Sequence, residues 1–275
     1  MKNYFKILPI LFLSLFIISC DDDNDDYGVC CAGSSIVDLA SETESLSSLL
    51  SALQLTGLDE TLSSPGAFTV LAPTNDAFNA FLTNINANSI DEIPIDVLTN
   101  VLLNHVFLGE VQSSTLTNGY ATTQAISNAS QTNMSIYINT DNGVTFNGVS
   151  SVTTADVVAS NGIVHIVDSV IGLPTVVTFA LADPNFGVLV QALTREDLTM
   201  DFVGLLNTST SPPTPLTVFA PVNNAFVNLL DELELSGLND IDEPTLSAVL
   251  SYHVVIGANQ LSINLSDGMQ FTTAG

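Results

Sequence analysis

Acid–base or metal chemistry in this chain would have to be built from three histidines, His105, His165 and His253, and from 29 Asp and Glu residues. An imidazole beside convergent carboxylates can move a proton or hold a cation. The spacing argues for a different use. His105 lies in Leu102-Leu-Asn-His105-Val-Phe-Leu-Gly109 and His253 in Leu250-Ser-Tyr-His253-Val-Val-Ile-Gly257, an offset of 148 residues (253 − 105). A residue present in both copies of a repeat serves first to build the repeating unit. Each is therefore expected to be a buried or half-buried imidazole bonded to a nearby carbonyl or carboxylate. No Gly-x-Ser-x-Gly elbow and no Gly-x-x-x-x-Gly-Lys phosphate cradle occurs. Asp76, at a helix start, reads as a dipole partner, and Asp168 as a polar residue at a strand end. No catalytic residue, metal or cofactor is expected.

Cysteine chemistry is confined to the N-terminal segment. Met1 to Lys6 is a basic stretch, and Ile7 to Ile18 is an apolar run interrupted by Pro9. That run is too short to span a bilayer, which takes ~20 residues, and suits a signal peptide. It ends Ile17-Ile-Ser-Cys20, which resembles a bacterial lipobox. The resemblance implies lipid attachment at Cys20, with residues 1–19 removed, and an outer-membrane lipoprotein exposed at the cell surface. Acylation with two or more chains holds firmly where one is marginal. Residues 20–33 form an acidic tether. Its run Asp21-Asp-Asp-Asn-Asp-Asp26 lacks the Gly and Glu that a calcium-binding EF-hand loop requires and reads as a solvated, self-repelling segment. It also resembles the acidic surface-export signal of some Gram-negative lipoproteins. Cys30 and Cys31 are adjacent; free thiols, a local bridge and an intermolecular link all remain open. Without the leader, Arg195 is the only Lys or Arg, and the formal charge is −28 (1 − 29). Such a surface repels nucleic acid, whose phosphates need cations to neutralise them.

The elements that hold the histidines are themselves duplicated. Phe68-Thr-Val-Leu-Ala-Pro-Thr-Asn-Asp-Ala-Phe78 recurs as Leu216-Thr-Val-Phe-Ala-Pro-Val-Asn-Asn-Ala-Phe226, again 148 residues on (226 − 78). Two blocks with one spacing mean a duplicated module. Each block reads as a short strand stopped by proline, followed by a helix that Thr74 or Asn75 can cap. The next helices begin near Pro94, in an N1-type position, and near Pro244. They carry Leu98, Val101, Leu102 and His105 on one face, and Leu246, Val249, Leu250 and His253 on the other copy's face. Upstream, Ser35–Ala40 pairs with Val176–Leu181. Both lead into i, i+3, i+4, i+7 patterns, Leu46, Leu49, Leu50, Leu53 and Phe186, Leu189, Val190, Leu193. Pro212, Pro213 and Pro215 mark an exposed insertion in the second copy. After Gly109 the period becomes two. Met134–Ile138 and Val144–Phe146 flank the turn Asp141-Asn-Gly143, and Asn161–Ile171 reads as an alternating final strand. The class is α+β, with modules at 34–174 and 175–275.

These motifs resemble the fasciclin domain: the Phe68–Phe78 block, the Tyr252-His253 pair, and the closing Asn161-Gly-Ile-Val-His165-Ile-Val-Asp168-Ser-Val-Ile171. The resemblance covers the chain after Gly33. It implies two tandem domains, each a β-sandwich wedge with a helical layer, and non-enzymatic adhesion to an extracellular protein, polysaccharide, matrix or cell-surface component. In the first copy the Tyr-His pair is Asn104-His105. Gly275 matches roughly Ala125–Ile126, so the second copy is expected to be C-terminally incomplete. Partner contact is expected at Tyr252 and His253, with Asn104 and His105 as the first-copy equivalents, or at loops after Pro221. The alternative is a carboxylate- or metal-dependent extracellular enzyme acting on carbohydrate, which would need a deep pocket with convergent Asp or Glu of raised pKa.

Overall fold

In the computed structural model, residues 33–207 and 215–275 are described. The signal peptide, Cys20, the acidic run, Cys30, Cys31, Pro212 and Pro213 lie outside them. The first module opens with three short helices, α1 (Ile36–Glu42), α2 (Ser47–Thr56) and α3 (Leu58–Ser63). It continues β1 (Phe68–Pro73), α4 (Asn75–Asn84), α5 (Ile95–Leu103) and β2 (Val106–Leu108). Five strands complete it: β3 (Gly119–Ile126), β4 (Asn133–Asn139), β5 (Thr145–Phe146), β6 (Ser150–Ala159) and β7 (Gly162–Val167). The second module repeats the opening as α6 (Val176–Ala182), α7 (Gly187–Leu193), α8 (Phe202–Leu206), β8 (Leu216–Val218), α9 (Asn223–Glu232), α10 (Glu243–Tyr252) and β9 (Val254–Ile256).

Helix starts follow cap chemistry. The Ser35 hydroxyl accepts from the Asp38 amide while the Asp38 carboxylate accepts back from Ser35, a capping box. Thr175 and Thr178 make the same box on α6. Ser35 is thus equivalent to Thr175, one residue away from the pairing with Val176, because a valine cannot supply the capping oxygen. Thr74 caps α4, as one of its two candidates. Asn75 instead ties two helices together: its Oδ1 accepts from Ser48 N at 2.8 Å and its Nδ2 donates to Glu44 O at 3.0 Å. Asn223 repeats this on Val188 N and Pro184 O, both at 2.9 Å. Pro94 is the N-cap residue, one position before the expected N1, and its carbonyl accepts from Leu98 N.

The first sheet runs β2-β1-β7-β6-β5-β4-β3. The sheet curls so that β3 returns beside β2 and α5. Leu71, Phe107, Ile136, Phe146 and Val167 fill the wedge this encloses. The opposite face of β1 and β7 packs on the helices through Val70, Ala72 and Val164, against Leu53, Leu98 and Leu102. The Asp141–Gly143 turn joins β4 to β5, paired Ile138↔Phe146. β7 departs from the simple alternation expected of it. It lies between β1, to which it is parallel, and β6, and five of its six residues are buried. A central strand is covered on both faces and so loses the solvent-facing set. The strand also ends at Val167, and Asp168–Ile171 leaves the sheet.

Two residues make the parallel pairing possible. Gly162, φ +154°, sits so close to β1 that a Cβ would lie 2.0 Å from Phe68 O. Asn161, 3% exposed, accepts from Ile36 N and donates to Leu62 O and Ser64 O, joining α1, α3 and β7. Removing its amide leaves the buried Ile36 N and Leu62 O, and the part-buried Ser64 O, without that partner. Asn161→Ala is expected to cost about 2–3 kcal/mol of stability in urea unfolding. Asn75→Ala, at an exposed tie, should cost about 1 kcal/mol; equal losses from the two variants would contradict this placement of the clasp.

Candidate binding site

The equivalent residues of the two modules sit in opposite environments. Asn104 is fully buried. Its Nδ2 donates to Gly172 O at 3.0 Å, and its Oδ1 accepts from the Thr123 hydroxyl at 3.1 Å. His105 is 2% exposed. Its Nδ1 lies 2.8 Å from Val101 O, and its Nε2 accepts from Ile171 N at 2.9 Å. Those partners require a neutral ring with the proton on Nδ1. Both side chains are therefore internal ties and are removed from the contact surface on which sequence reasoning placed them. His165 is likewise buried, with Nε2 donating to Val111 O and Nδ1 accepting from Asp156 N.

Tyr252 stands in the place of Asn104 and is 71% exposed. His253 stands in the place of His105 and is half-buried. The backbone around it keeps the repeat: Phe219 N donates to His253 O as Leu71 N does to His105 O, and Gly257 N to Pro215 O as Gly109 N does to Ala67 O. Beside His253 opens an apolar cleft of about 470 Å³, lined among others by Val176, Phe179, Leu189, Val203, Val218 and Leu250. No carboxylate lines it. Among the described residues no three His, Cys, Asp or Glu side chains converge as metal ligands would.

The carboxylates with displaced pKa values all move downward. Amide and hydroxyl donors hold Asp38, Glu92, Asp156 and Asp242 below the usual range, the donors being Ser35, Asn88, Ser113 and Thr245. The Arg195 guanidinium does the same to Asp197. A general acid would need the opposite shift. Arg195 is spent locally: besides Asp197, its Nη1 donates to Leu238 O and Ile241 O.

Where the modules meet, Tyr120 of β3 packs edge-on against Tyr137 and Phe179, and its hydroxyl donates to Asp183 at 3.1 Å. Burial, and then the Asp183 carboxylate, push the Tyr120 phenol upward. Sequence reasoning passed over this cluster because its members come from unrelated points of the two copies. Asn161 belongs to the closing motif, and its side-chain role has no local signal in the sequence.

Comparisons with known proteins match this architecture. The fasciclin domain matches residues 44–174 and again 184–275. The chain belongs to the fasciclin family. The Synechocystis protein sll1483 is 33% identical over 141 residues, covering 50% of this chain and 72% of that protein. Human periostin is 28% identical over 236 residues, 83% of this chain and 25% of periostin. Pig transforming growth factor-beta-induced protein ig-h3 is 27% identical over 198 residues, 70% of this chain and 26% of that protein. The chain thus spans about a quarter of the length of these two animal relatives. A solved FAS1 domain pair from the insect cell adhesion molecule Fasciclin I superposes with a TM-score of 0.51 at 20% identity, over 78% of this chain and 74% of that one. The two modules are therefore fasciclin domains with a mixed α+β fold, and the repeated His105 and His253 mark the same point in each.

The buried ring carries a pH signature. Burial lowers the His105 pKa from 6.5 to about 4, partly opposed by the Val101 carbonyl. Between those values the unfolded chain binds a proton that the folded chain refuses. Stability present above pH 6.5 is thus lost as pH falls toward 4, by up to ~3 kcal/mol. Urea unfolding at pH 7 and pH 4.5 should show this loss, and His105→Gln should flatten the slope in that window. An unchanged slope would contradict the assignment.

Proposed function

We propose that the chain is a cell-surface adhesion module, tethered to the outer membrane by lipid at Cys20 and recognising an extracellular protein or polysaccharide. The tandem fasciclin architecture carries this reading, together with the family's occurrence in a cell adhesion molecule. We take the module boundary at Pro174/Thr175, a reading supported by the capping box that begins there. Contact is assigned to Tyr252 and His253. Tyr252 combines high exposure with an amphipathic ring suited to protein or sugar surfaces. Buried Asn104 and His105 support the first module instead of touching the partner. The strong acidity favours partners approached through divalent cations or salt.

The enzyme alternative has less to support it: the large cleft is lined by no carboxylate, and the displaced carboxylate pKa values run the wrong way. Beads coated with the acylated chain should adhere to envelope or matrix preparations, and the experiment is run with and without calcium. Tyr252→Ala should reduce capture about tenfold, the loss of one central contact worth ~1.4 kcal/mol. Undiminished capture places the contact elsewhere. Cys20→Ala should move the protein from the membrane fraction to the soluble fraction, and continued membrane retention would count against lipid anchoring at that residue.

A further inference from the structure

Four asparagines precede a glycine: Asn118-Gly119, Asn142-Gly143, Asn147-Gly148 and Asn161-Gly162. Asparagine is a labile residue. It is most so before glycine, where no Cβ keeps the next backbone nitrogen from the side-chain carbon. That attack needs a carboxamide able to turn and water able to reach it. The fold grants both conditions to one of the four.

Asn118 is exposed but held. Its Oδ1 accepts from Thr140 N at 2.7 Å and from the Thr140 hydroxyl at 2.8 Å, and its Nδ2 donates to Asp141 Oδ1 at 2.8 Å. Asn147 is 3% exposed, and its Oδ1 accepts from Tyr137 N at 2.8 Å. Asn161, equally buried, is the clasp of α1, α3 and β7. Turning any of these carboxamides breaks hydrogen bonds that the fold uses. Asn142 stands exposed at the tip of the β4–β5 turn, and among the described residues its carboxamide has no hydrogen-bond partner. Gly143 beside it takes φ +92°, with nothing within 4 Å of the place a Cβ would fill.

We propose that Asn142 is a site of spontaneous deamidation, converting to isoaspartate and aspartate in the folded protein while the other three asparagines persist. The Gly143 amide gives its proton to solvent, and its nitrogen bonds to Asn142 Cγ. The Cγ–Nδ2 bond breaks and ammonia leaves, closing a succinimide ring. Water then opens the ring. Breaking the bond from nitrogen to Cγ gives aspartate. Breaking the bond from nitrogen to the main-chain carbonyl carbon of residue 142 gives isoaspartate, with the chain rerouted through Cβ and Cγ. The sequence is redox-neutral and consumes only water. Both products set a new carboxylate next to Asp141. Isoaspartate also puts an extra carbon into the backbone of the turn, which loosens the Asn139↔Thr145 pairing and the bonds from Thr140 to Asn118.

The test incubates the 275-residue chain in ¹⁸O-labelled water at pH 8 and at pH 5, digests it with pepsin in ordinary water, and follows the four Asn-Gly peptides by mass spectrometry. In the folded chain, ¹⁸O-bearing acid is expected at Asn142 about tenfold or more faster than at Asn118, Asn147 or Asn161, the difference that retained hydrogen bonds make. The rate at Asn142 is expected to rise at pH 8, where the Gly143 amide loses its proton more readily. In urea the four rates should converge, a readout that needs no variant. Gly143→Ala should slow conversion about tenfold by crowding the attacking nitrogen. Equal rates at the four sites of the folded chain overturn the proposal, as does conversion of another Asn-Gly pair with Asn142 intact. So does an Asn142 that converts in urea and not in the folded chain. An unchanged rate in Gly143→Ala contradicts the succinimide route.

Discussion

The parallel pairing of β1 with β7 is the contact on which the rest of the first module depends. It joins the strand that follows the opening helices to the strand that ends the module, so every intervening element is enclosed by it. A pair buried on both faces leaves no water for its ends, and each polar group there must be answered from within. At one end Asn161 answers for α1 and α3, and Gly162 permits the close approach. At the other, Asn104 and His105 receive the backbone of Ile171 and Gly172 after the chain leaves the sheet. The neutral tautomer of His105 and its depressed pKa follow from that position.

The second module keeps the same frame and meets different surroundings. β8, β9 and α10 hold the repeat's backbone bonds, and Asn223 ties α9 to α7 as Asn75 ties α4 to α2. What changes is the coverage. A tyrosine stands where the first module buries an amide, a half-exposed imidazole where it buries a bonded one, and an apolar cleft where it packs Val164. Among the described residues, identical motif positions are therefore buried in one copy and exposed or half-exposed in the other. The Tyr120–Phe179–Asp183 cluster joins the copies through a phenol shared between an aromatic pair and a carboxylate.

Much of this was legible in the residues. The repeat, the α+β class, the Asp141–Gly143 hairpin and the Phe68–Ala72 strand rest on local signals of period, proline and turn chemistry, which act over a few residues. The structural use of His105 followed from its repetition as His253. Placing Asn104 and His105 on a surface failed because burial there depends on Ile171 and Gly172, more than sixty residues away (171 − 105), and no local pattern reports that contact. The alternation expected for β7 failed for the same kind of reason: the strand's neighbours on both sides, not its own sequence, decide that it is covered twice. The one-residue offset at Ser35 and Thr175 shows the reverse case, where a cap oxygen is better evidence than aligned hydrophobics.

Native-state amide exchange resolved by residue tests the central claim most directly, because it reads the two edges in one experiment. If the β1–β7 pair organises the first module, and β8 pairs with β9 alone among the described residues, the Val70 and Val164 amides exchange only with global unfolding of the first module. The Val218 amide, the counterpart of Val70 in the second module, then exchanges orders of magnitude faster. Protection of Val218 equal to that of Val70 would contradict the account.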